Sequence, residues 1–305
     1  MMRRLTVSVI LLAIAGFAGF WFLTSPQRID AASLPAHTPD LDNGRLMFDA
    51  GGCASCHAPK GAKGDDRLVL TGGHELKTPF GIFRVPNISS DPDHGIGKWT
   101  DEEFVTAMVK GVSPENKHYY PAFPFSSYQR MTLPDLLDLK AFMDTLPASD
   151  IQNADHDLPF PFSVRRGLGV WKLLFLDGKP FAPDPSQSDI VNRGAYLVSG
   201  PAHCGECHTP RNLIGGPIEN RHLAGAPAAE GDGFIPNITP HKTGIGSWSE
   251  SDIVYSLESG FTPEFDSFGG SMVSVQENMA RLPAEDRAAI AAYLKSVPAL
   301  VTEKN

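Results

Sequence analysis

A repeated pentapeptide constrains this 305-residue chain more than any other feature. The sequence CASCH at residues 53–57 recurs as CGECH at 204–208, 151 positions later. Two further segments recur in the same order and at almost the same offset: PNI at 86–88 and 236–238, and GIGKW at 95–99 against GIGSW at 244–248. A fixed period of about 150 residues predicts that one structural unit occurs twice.

Each copy has the pattern of a helical unit. The tryptophan is followed by Thr100 or Ser249 and acidic residues, which is typical of a helix start, and Gly111 or Gly260 then indicates a helix stop. Helical spacing of apolar residues predicts a second helix at 133–146 and at 283–297. Neither copy shows a run of alternating strand pattern. We therefore predict an all-α protein with two tandem modules at 40–148 and 190–300, joined by a linker at 149–189 rich in proline and aromatic residues.

The N-terminus predicts a membrane segment. Residues 5–24 carry no charge and follow Arg3 and Arg4, and a helix of 20 residues is long enough to span a bilayer. A cleaved signal peptide is the alternative, but its apolar stretch is usually shorter. We assign residues 1–32 to an anchor. Because arginines before a span stay in the cytoplasm, either interpretation places the modules on the periplasmic side of the cytoplasmic membrane.

The charge distribution argues against one class of partner. The chain has a net charge of −9, while residues 1–32 hold three arginines against one aspartate. The part after the anchor is therefore strongly acidic. Such a surface repels nucleic-acid phosphates, so we expect no nucleic-acid partner.

All four cysteines lie in the two CxxCH motifs. A disulfide framework would place cysteines elsewhere too, a zinc site needs a further pair of ligands in each module, and a thioredoxin-like motif needs a βαβ context. CxxCH is instead the attachment signature of c-type haem. We predict two covalent haem c groups, with thioethers at Cys53, Cys56, Cys204 and Cys207 and iron bound by His57 and His208.

The sixth iron ligands are less tightly constrained. Met108 and Met143 fall on apolar helix faces and are expected in the core. Met131 lies in an irregular segment and is the favoured ligand of the first haem, with His118 as its rival. In the second module, Met272 in a Gly-Gly-Ser-Met segment without helical constraint is favoured over Met279.

These residues together resemble a known family, the multihaem cytochrome c subunits of membrane-bound bacterial dehydrogenases that oxidise alcohols, aldehydes, gluconate or fructose. The resemblance rests on CASCH, RVPNI, GIGKWTDEEF and YPAFPF in the first half, and on HCGECHTPRN, PNITP and GSM in the second. It implies class I cytochrome c-like domains and supports Met131 and Met272 as ligands. Many relatives carry three haem modules, whereas this chain has two.

Ligation by histidine and methionine leaves no open iron position, which favours electron transfer over catalysis. The resemblance implies electron flow from the catalytic subunit of a periplasmic dehydrogenase to a quinone, a soluble cytochrome or an oxidase. We therefore expect an electron-transfer subunit and not an enzyme. The alternative is a dihaem enzyme such as a peroxidase or thiosulfate dehydrogenase.

Six further residues could contact haem propionates. Asn87, Trp99, Asn237 and Trp248 occupy equivalent places in the repeat, and Arg84 and Arg211 carry the positive charge that a propionate attracts. Core packing, turn formation and surface exposure are the alternatives for these side chains.

The first prediction concerns haem stoichiometry. The native chain should retain two haems through acid extraction and denaturing electrophoresis, because thioethers survive both treatments. Replacing Cys53 and Cys56 with alanine should remove one haem and leave the other. Mass spectrometry of the native chain and of this variant checks the count, and a single haem on the native chain would contradict the tandem-site interpretation.

Overall fold

The structure is a computed structural model that describes residues 2–229 and 233–303. Met1, the first residue of the predicted anchor, and residues 230–232, within the predicted second module, lie outside the described residues. The chain is mostly helical. Its first helix, α1, spans Met2–Leu23.

The two halves contain helices in the same order. The first half holds α2 Leu41–Ala50, α3 Cys53–His57, α4 Asp101–Lys110, α5 Phe125–Tyr128 and α6 Leu133–Asp144. A helix in the connecting segment, α7, spans Gly167–Phe175. The second half holds α8 Asp189–Ser199, α9 Gly205–His208, α10 Glu250–Ser259, α11 Met272–Met279 and α12 Ala284–Ser296.

The predicted helix signals act as expected. The Thr100 side chain accepts from the backbone N–H of Glu103 and the Glu103 carboxylate accepts from that of Thr100, which closes a capping box at the start of α4. Ser249 and Asp252 do the same for α10. Gly111 and Gly260 then take left-handed conformations after these helices, which glycine adopts without steric cost.

The expectation of an all-α chain is wrong in detail. Strands β1 Glu75–Thr78 and β2 Gly81–Arg84 form an antiparallel pair, and β3 Ala226–Pro227 pairs with β4 Phe234–Ile235. Strands of two to four residues are too short to show the alternation of apolar and polar residues that identifies a strand in sequence. In the first half, the pair lies between the CxxCH helix and the Pro86 segment.

Two hydrophobic clusters form the core, and they meet. The first contains Met47, Phe48, Phe104 and Leu136, and the second has Leu197, Ile253 and Ile290 among its members. Ala50, at the end of α2, belongs to the second cluster, and Leu46 packs against both. The last turns of α2 therefore connect the two halves.

The main helix contacts are equivalent in the two halves, since α2 packs against α6 and α8 packs against α12. Both crossings depend on a glycine. A Cβ atom on Gly44 would lie 2.2 Å from the carbonyl oxygen of Asp138, and one on Gly194 would lie 1.9 Å from that of Ala289. Backbone atoms cannot move aside as a flexible side chain can, so each position excludes any larger residue.

We predict that Gly194→Ala lowers the free energy of unfolding by roughly 1–3 kcal/mol, the usual cost of overpacking, despite the better helix propensity of alanine. Gly167→Ala is the matched control, because that position also lies in a helix and a Cβ there would have open space around it. Thermal and denaturant unfolding of both variants checks the difference. Equal stability of the two variants would contradict the close helix crossing.

Candidate functional site

Both motif histidines are held by the same contact. Nδ1 of His57 lies 2.8 Å from the carbonyl oxygen of Pro86, and Nδ1 of His208 lies 2.7 Å from that of Pro236. A carbonyl can only accept, so each Nδ1 carries the proton and each Nε2 keeps a free lone pair. This is the tautomer and orientation that a metal-ligating histidine needs.

The proline segments are fixed in turn by the asparagines that follow them. Asn87 donates to the carbonyls of Ser149 (2.8 Å) and Ile151 (2.9 Å), and Asn237 donates to that of Leu300 (2.7 Å). These bonds tie each histidine's partner loop to the segment after the last helix of its half. The asparagines therefore bind backbone groups, as the turn-forming alternative expects, and their contact with a propionate stays a prediction.

The other propionate candidates also have protein partners. Arg84 donates to Glu75 at 3.0 Å, and Arg211 pairs with Glu206. The indole N–H of Trp248 donates to Glu264 at 3.1 Å, while Trp99 packs against the first core. All four side chains therefore have contacts within the protein, and their contact with a propionate stays a prediction.

Burial disfavours the charged forms of three motif side chains. Burial raises the pKa of the Cys53 thiol and that of the Cys204 thiol to about 12, because a thiolate there would lose its hydration. Burial lowers the pKa of His57 to about 4, which keeps its imidazole neutral for metal binding. Within residues 2–229 and 233–303, no three His, Cys, Asp or Glu side chains gather as a metal site.

The arrangement fits covalent haem. Helix α3 places Cys53, Cys56 and His57 at helical positions i, i+3 and i+4, which share one face. In the second half, Cys204 is the N-cap residue of α9, and Cys207 and His208 end that helix. Each site therefore offers two thiols for a porphyrin's vinyl groups and one correctly oriented nitrogen for its iron.

The sixth-ligand candidates differ in their surroundings. Met131 lies between α5 and α6 and is 2% exposed. His118 has both ring nitrogens engaged, since Nε2 donates to the Thr24 carbonyl at 2.9 Å and Nδ1 accepts from Lys172 Nζ at 3.1 Å. Met108 and Met143 are buried in the first core, as their helical spacing predicts.

Met272 is not free of helical constraint, contrary to the sequence-based expectation, because it is the first residue of α11. The preceding glycines suggested a loop that includes Met272, yet only Gly269, Gly270 and the N-cap residue Ser271 precede the helix. Met272 is half-buried at this helix start, whereas Met279 is 3% exposed and packs in the second core. The position of Met272 at the edge of α11 leaves its side chain outside that core.

The two motif helices contact opposite halves of the chain in a reciprocal manner. Ser55, inside the first motif, accepts a hydrogen bond from Asn278 Nδ2 of α11 at 2.6 Å. Glu206, inside the second motif, accepts one from Ser127 of α5 at 2.7 Å. Ser55 and Glu206 are 151 positions apart, as are Ser127 and Asn278. The halves therefore meet through equivalent elements, in a pseudo-twofold interface.

The segments beside the motifs touch at the centre of this interface. His203, which precedes Cys204, places Nε2 3.3 Å from the carbonyl oxygen of Gly51. The ring of Tyr128 packs edge-on against that of His203, with centroids 5.6 Å apart. Tyr128 is buried, and desolvation raises its pKa far above the ordinary value. A neutral aromatic side chain therefore lies between the two CxxCH motifs.

The sequence did not indicate these interface residues, because identical residues at the repeat offset were its only signal of equivalence between the halves. Ser55 and Glu206 are equivalent in position but differ in type. The roles of Pro86 and Pro236 were also missed, although both prolines stand in the PNI repeat. Their recurrence beside the CxxCH repeat was the available signal.

Comparisons with known proteins agree with this site. A family model described as cytochrome c matches residues 41–147. The chain is 52% identical over 300 residues to a diheme cytochrome c-type protein of Cereibacter sphaeroides, with 98% of this chain and 100% of that protein covered. It is 39% identical over 276 residues to the fructose dehydrogenase cytochrome subunit of Gluconobacter japonicus, covering 90% of this chain and 56% of the relative.

A third relative, the cytochrome c subunit of the alcohol dehydrogenase (quinone) of Gluconobacter oxydans, is 36% identical over 301 residues, covering 93% of this chain and 62% of that subunit. The site and these similarities define a cytochrome c. More particularly, the chain belongs to the family that includes the C. sphaeroides diheme protein and the cytochrome subunits of these dehydrogenases, which confirms the family that the sequence indicated. The chain spans less than two thirds of the two dehydrogenase subunits.

The interface generates a stability prediction. Asn278 is 2% exposed, donates to Ser55 and accepts from Arg67, so Asn278→Ala should leave buried polar groups unpaired and cost roughly 1–3 kcal/mol. Asn192→Ala is the control, because that amide bonds only within the segment 184–192, away from the interface. Denaturant unfolding of the haem-loaded protein measures both. A lower free energy of unfolding in Asn192→Ala but not in Asn278→Ala would contradict the contact between the two halves.

Proposed function

We propose that this protein is a dihaem cytochrome c that carries electrons from a dehydrogenase on the periplasmic side of the cytoplasmic membrane to the respiratory chain. Its two CxxCH sites would each hold one haem c, which supplies one-electron iron chemistry when bound. The predicted modules 40–148 and 190–300 would be two tandem cytochrome c domains. The protein would act as the electron-transfer subunit and not as the catalytic one.

One observation carries this proposal: the two attachment segments contact each other. The Gly51 carbonyl, two residues before Cys53, lies against His203, which is adjacent to Cys204, and Tyr128 packs beside them. The hydrogen bonds of Ser55 and Glu206 hold the segments in place from both sides. An electron entering one site therefore has a short protein path to the other.

The proposed sixth iron ligand of each site favours electron transfer over catalysis. We propose Met131 and Met272 as the sixth ligands. His118 is occupied at both nitrogens. Met131 lies in the segment between α5 and α6, within the first core against which Cys53 packs, and Met272 lies outside the second core. A methionine thioether bound to the iron would leave no open position for substrate or peroxide and would favour the reduced state. In an electron-transfer subunit, these side chains would bind and orient each haem and shield its iron.

The partner is inferred from the relatives. Similar proteins include the cytochrome subunits of fructose, alcohol and gluconate dehydrogenases, which are 32–39% identical to this chain over the aligned residues. We propose a catalytic dehydrogenase subunit as donor, and a quinone, soluble cytochrome or oxidase as acceptor. Helix α1 contains an 18-residue stretch with a mean hydropathy of 2.2 and has no buried residue, so it is long and apolar enough to anchor the protein beside that acceptor.

The ligand assignment yields a spectroscopic prediction. Met131→Leu should make one haem high-spin and remove about half of the methionine–iron charge-transfer band in the near infrared, and Met272→Leu should do the same for the other haem. His118→Gln serves as the control and should leave that band unchanged. Near-infrared and EPR spectra measure this. A silent Met131→Leu variant would contradict the assignment of the first haem.

The functional proposal is tested on the native complex. The full chain, purified from membranes in mild detergent, should bring a dehydrogenase subunit with it, and adding alcohols, aldehydes or sugar acids should reduce both haems. The Met131→Leu and Met272→Leu variants should slow this reduction without preventing co-purification. If no dehydrogenase co-purifies and the ferric protein consumes peroxide rapidly, the protein is a dihaem enzyme instead.

A further inference from the structure

Helix α7 buries Trp171 but presents three aliphatic side chains outward and its charged one inward. Val170, Leu173 and Leu174 are 40%, 59% and 61% exposed, whereas Lys172 is 9% exposed. A helix on a water-facing surface has the opposite arrangement, with apolar residues buried and lysine in solvent. The exposed face of α7 therefore has the polarity expected for contact with an apolar medium.

The hydrogen bonds of the inward lysine prevent helix α7 from rotating about its axis. Lys172 Nζ donates to the carbonyls of Lys110 and Gly111 at the end of α4, both at 2.6 Å, and to Nδ1 of His118. It satisfies carbonyls that the helix end leaves unpaired. Rotating α7 to bury its leucines would break these bonds, so the outward apolar face is built into the fold.

The segment before α7 extends the same surface. Phe160, Phe162 and Val164 are 83%, 41% and 49% exposed. Residues 158–176 include two partly exposed arginines and no acidic residue, although the whole chain carries a net charge of −9. An apolar surface with local positive charge in an acidic protein matches a bilayer that contains anionic lipids.

This surface is continuous with the end of the membrane-spanning helix. A Cβ on Gly169 would lie 2.5 Å from Cβ of Thr24, so α7 packs directly on the end of α1. Arg166 donates to the Thr24 and Ser25 hydroxyls at 2.9 and 3.1 Å, and its guanidinium lies 4.2 Å from the ring centroid of Trp21. The exposed face therefore begins where α1 leaves the bilayer.

We propose that residues 158–176 form a second membrane contact, an interfacial segment whose exposed apolar side chains enter the outer leaflet beside α1. The inference rests on the proposed retention of α1 as an anchor. Arg165 donates to the His118 carbonyl at 2.9 Å, and Tyr120 donates to the Phe162 carbonyl at 2.8 Å. Because these bonds join the segment to the loop of the first module, the contact fixes the orientation of that module on the membrane.

The experiment uses the full haem-loaded chain in vesicles of zwitterionic and anionic phospholipid. A nitroxide label is placed on Leu174→Cys, and the matched control carries it on Leu213→Cys, which is also an exposed apolar position, in the second half. EPR power saturation compares collisions with oxygen, which concentrates in lipid, and with a water-soluble nickel complex. We expect a several-fold higher oxygen-to-nickel ratio at position 174 than at 213.

Equal ratios at the two positions would overturn the proposal. Exclusion of both relaxing agents at position 174 would also overturn it, because a protein partner would then cover the surface. The haem content and substrate-driven reduction of the same samples are measured separately. Lipid contact without reduction by any dehydrogenase would refute only the proposed function, and intact reduction with a water-exposed label would refute only this inference.

Discussion

The contact between the two CxxCH segments is the constraint on which the rest of the structure depends. Ser55 and Glu206 occupy equivalent places in the two motifs, and each bonds to the helix of the opposite half that precedes the last long helix. Gly51 and His203 meet between them. Neither site can move relative to the other without breaking polar contacts that are largely removed from solvent, so the two sites behave as one unit.

Each site is also fixed within its own half by a chain of backbone contacts. The proline carbonyl orients the histidine, and the following asparagine ties that loop to the segment after the last helix. The last helix is in turn held by the glycine crossing at Gly44 or Gly194. The histidine nitrogen is thus positioned by contacts with the backbone, which is how the outer contacts of a metal-ligating histidine orient its ring.

The sequence predicted the parts of this fold that have a local sequence signature. The CxxCH motifs, the capped helices after Trp99 and Trp248, and the apolar span were all found, because each has a local signature. The strands were not predicted because they are only two to four residues long. The hydrogen bond between Ser127 and Glu206 was not predicted, because it joins residues 79 positions apart in the chain. It follows the pseudo-symmetry of the two halves, which no local sequence pattern indicates. The inward lysine of α7 likewise follows from tertiary contacts.

The central claim is that the shared interface couples the two sites electronically, and flash reduction of the oxidised full-length protein tests it most directly. One haem is reduced within microseconds by a photochemical donor, and redistribution to the other is followed by absorbance in wild type and in the Tyr128→Leu variant. The account predicts a unimolecular exchange phase, independent of protein concentration and slower in Tyr128→Leu. Redistribution that occurs only through second-order collisions between molecules would contradict it.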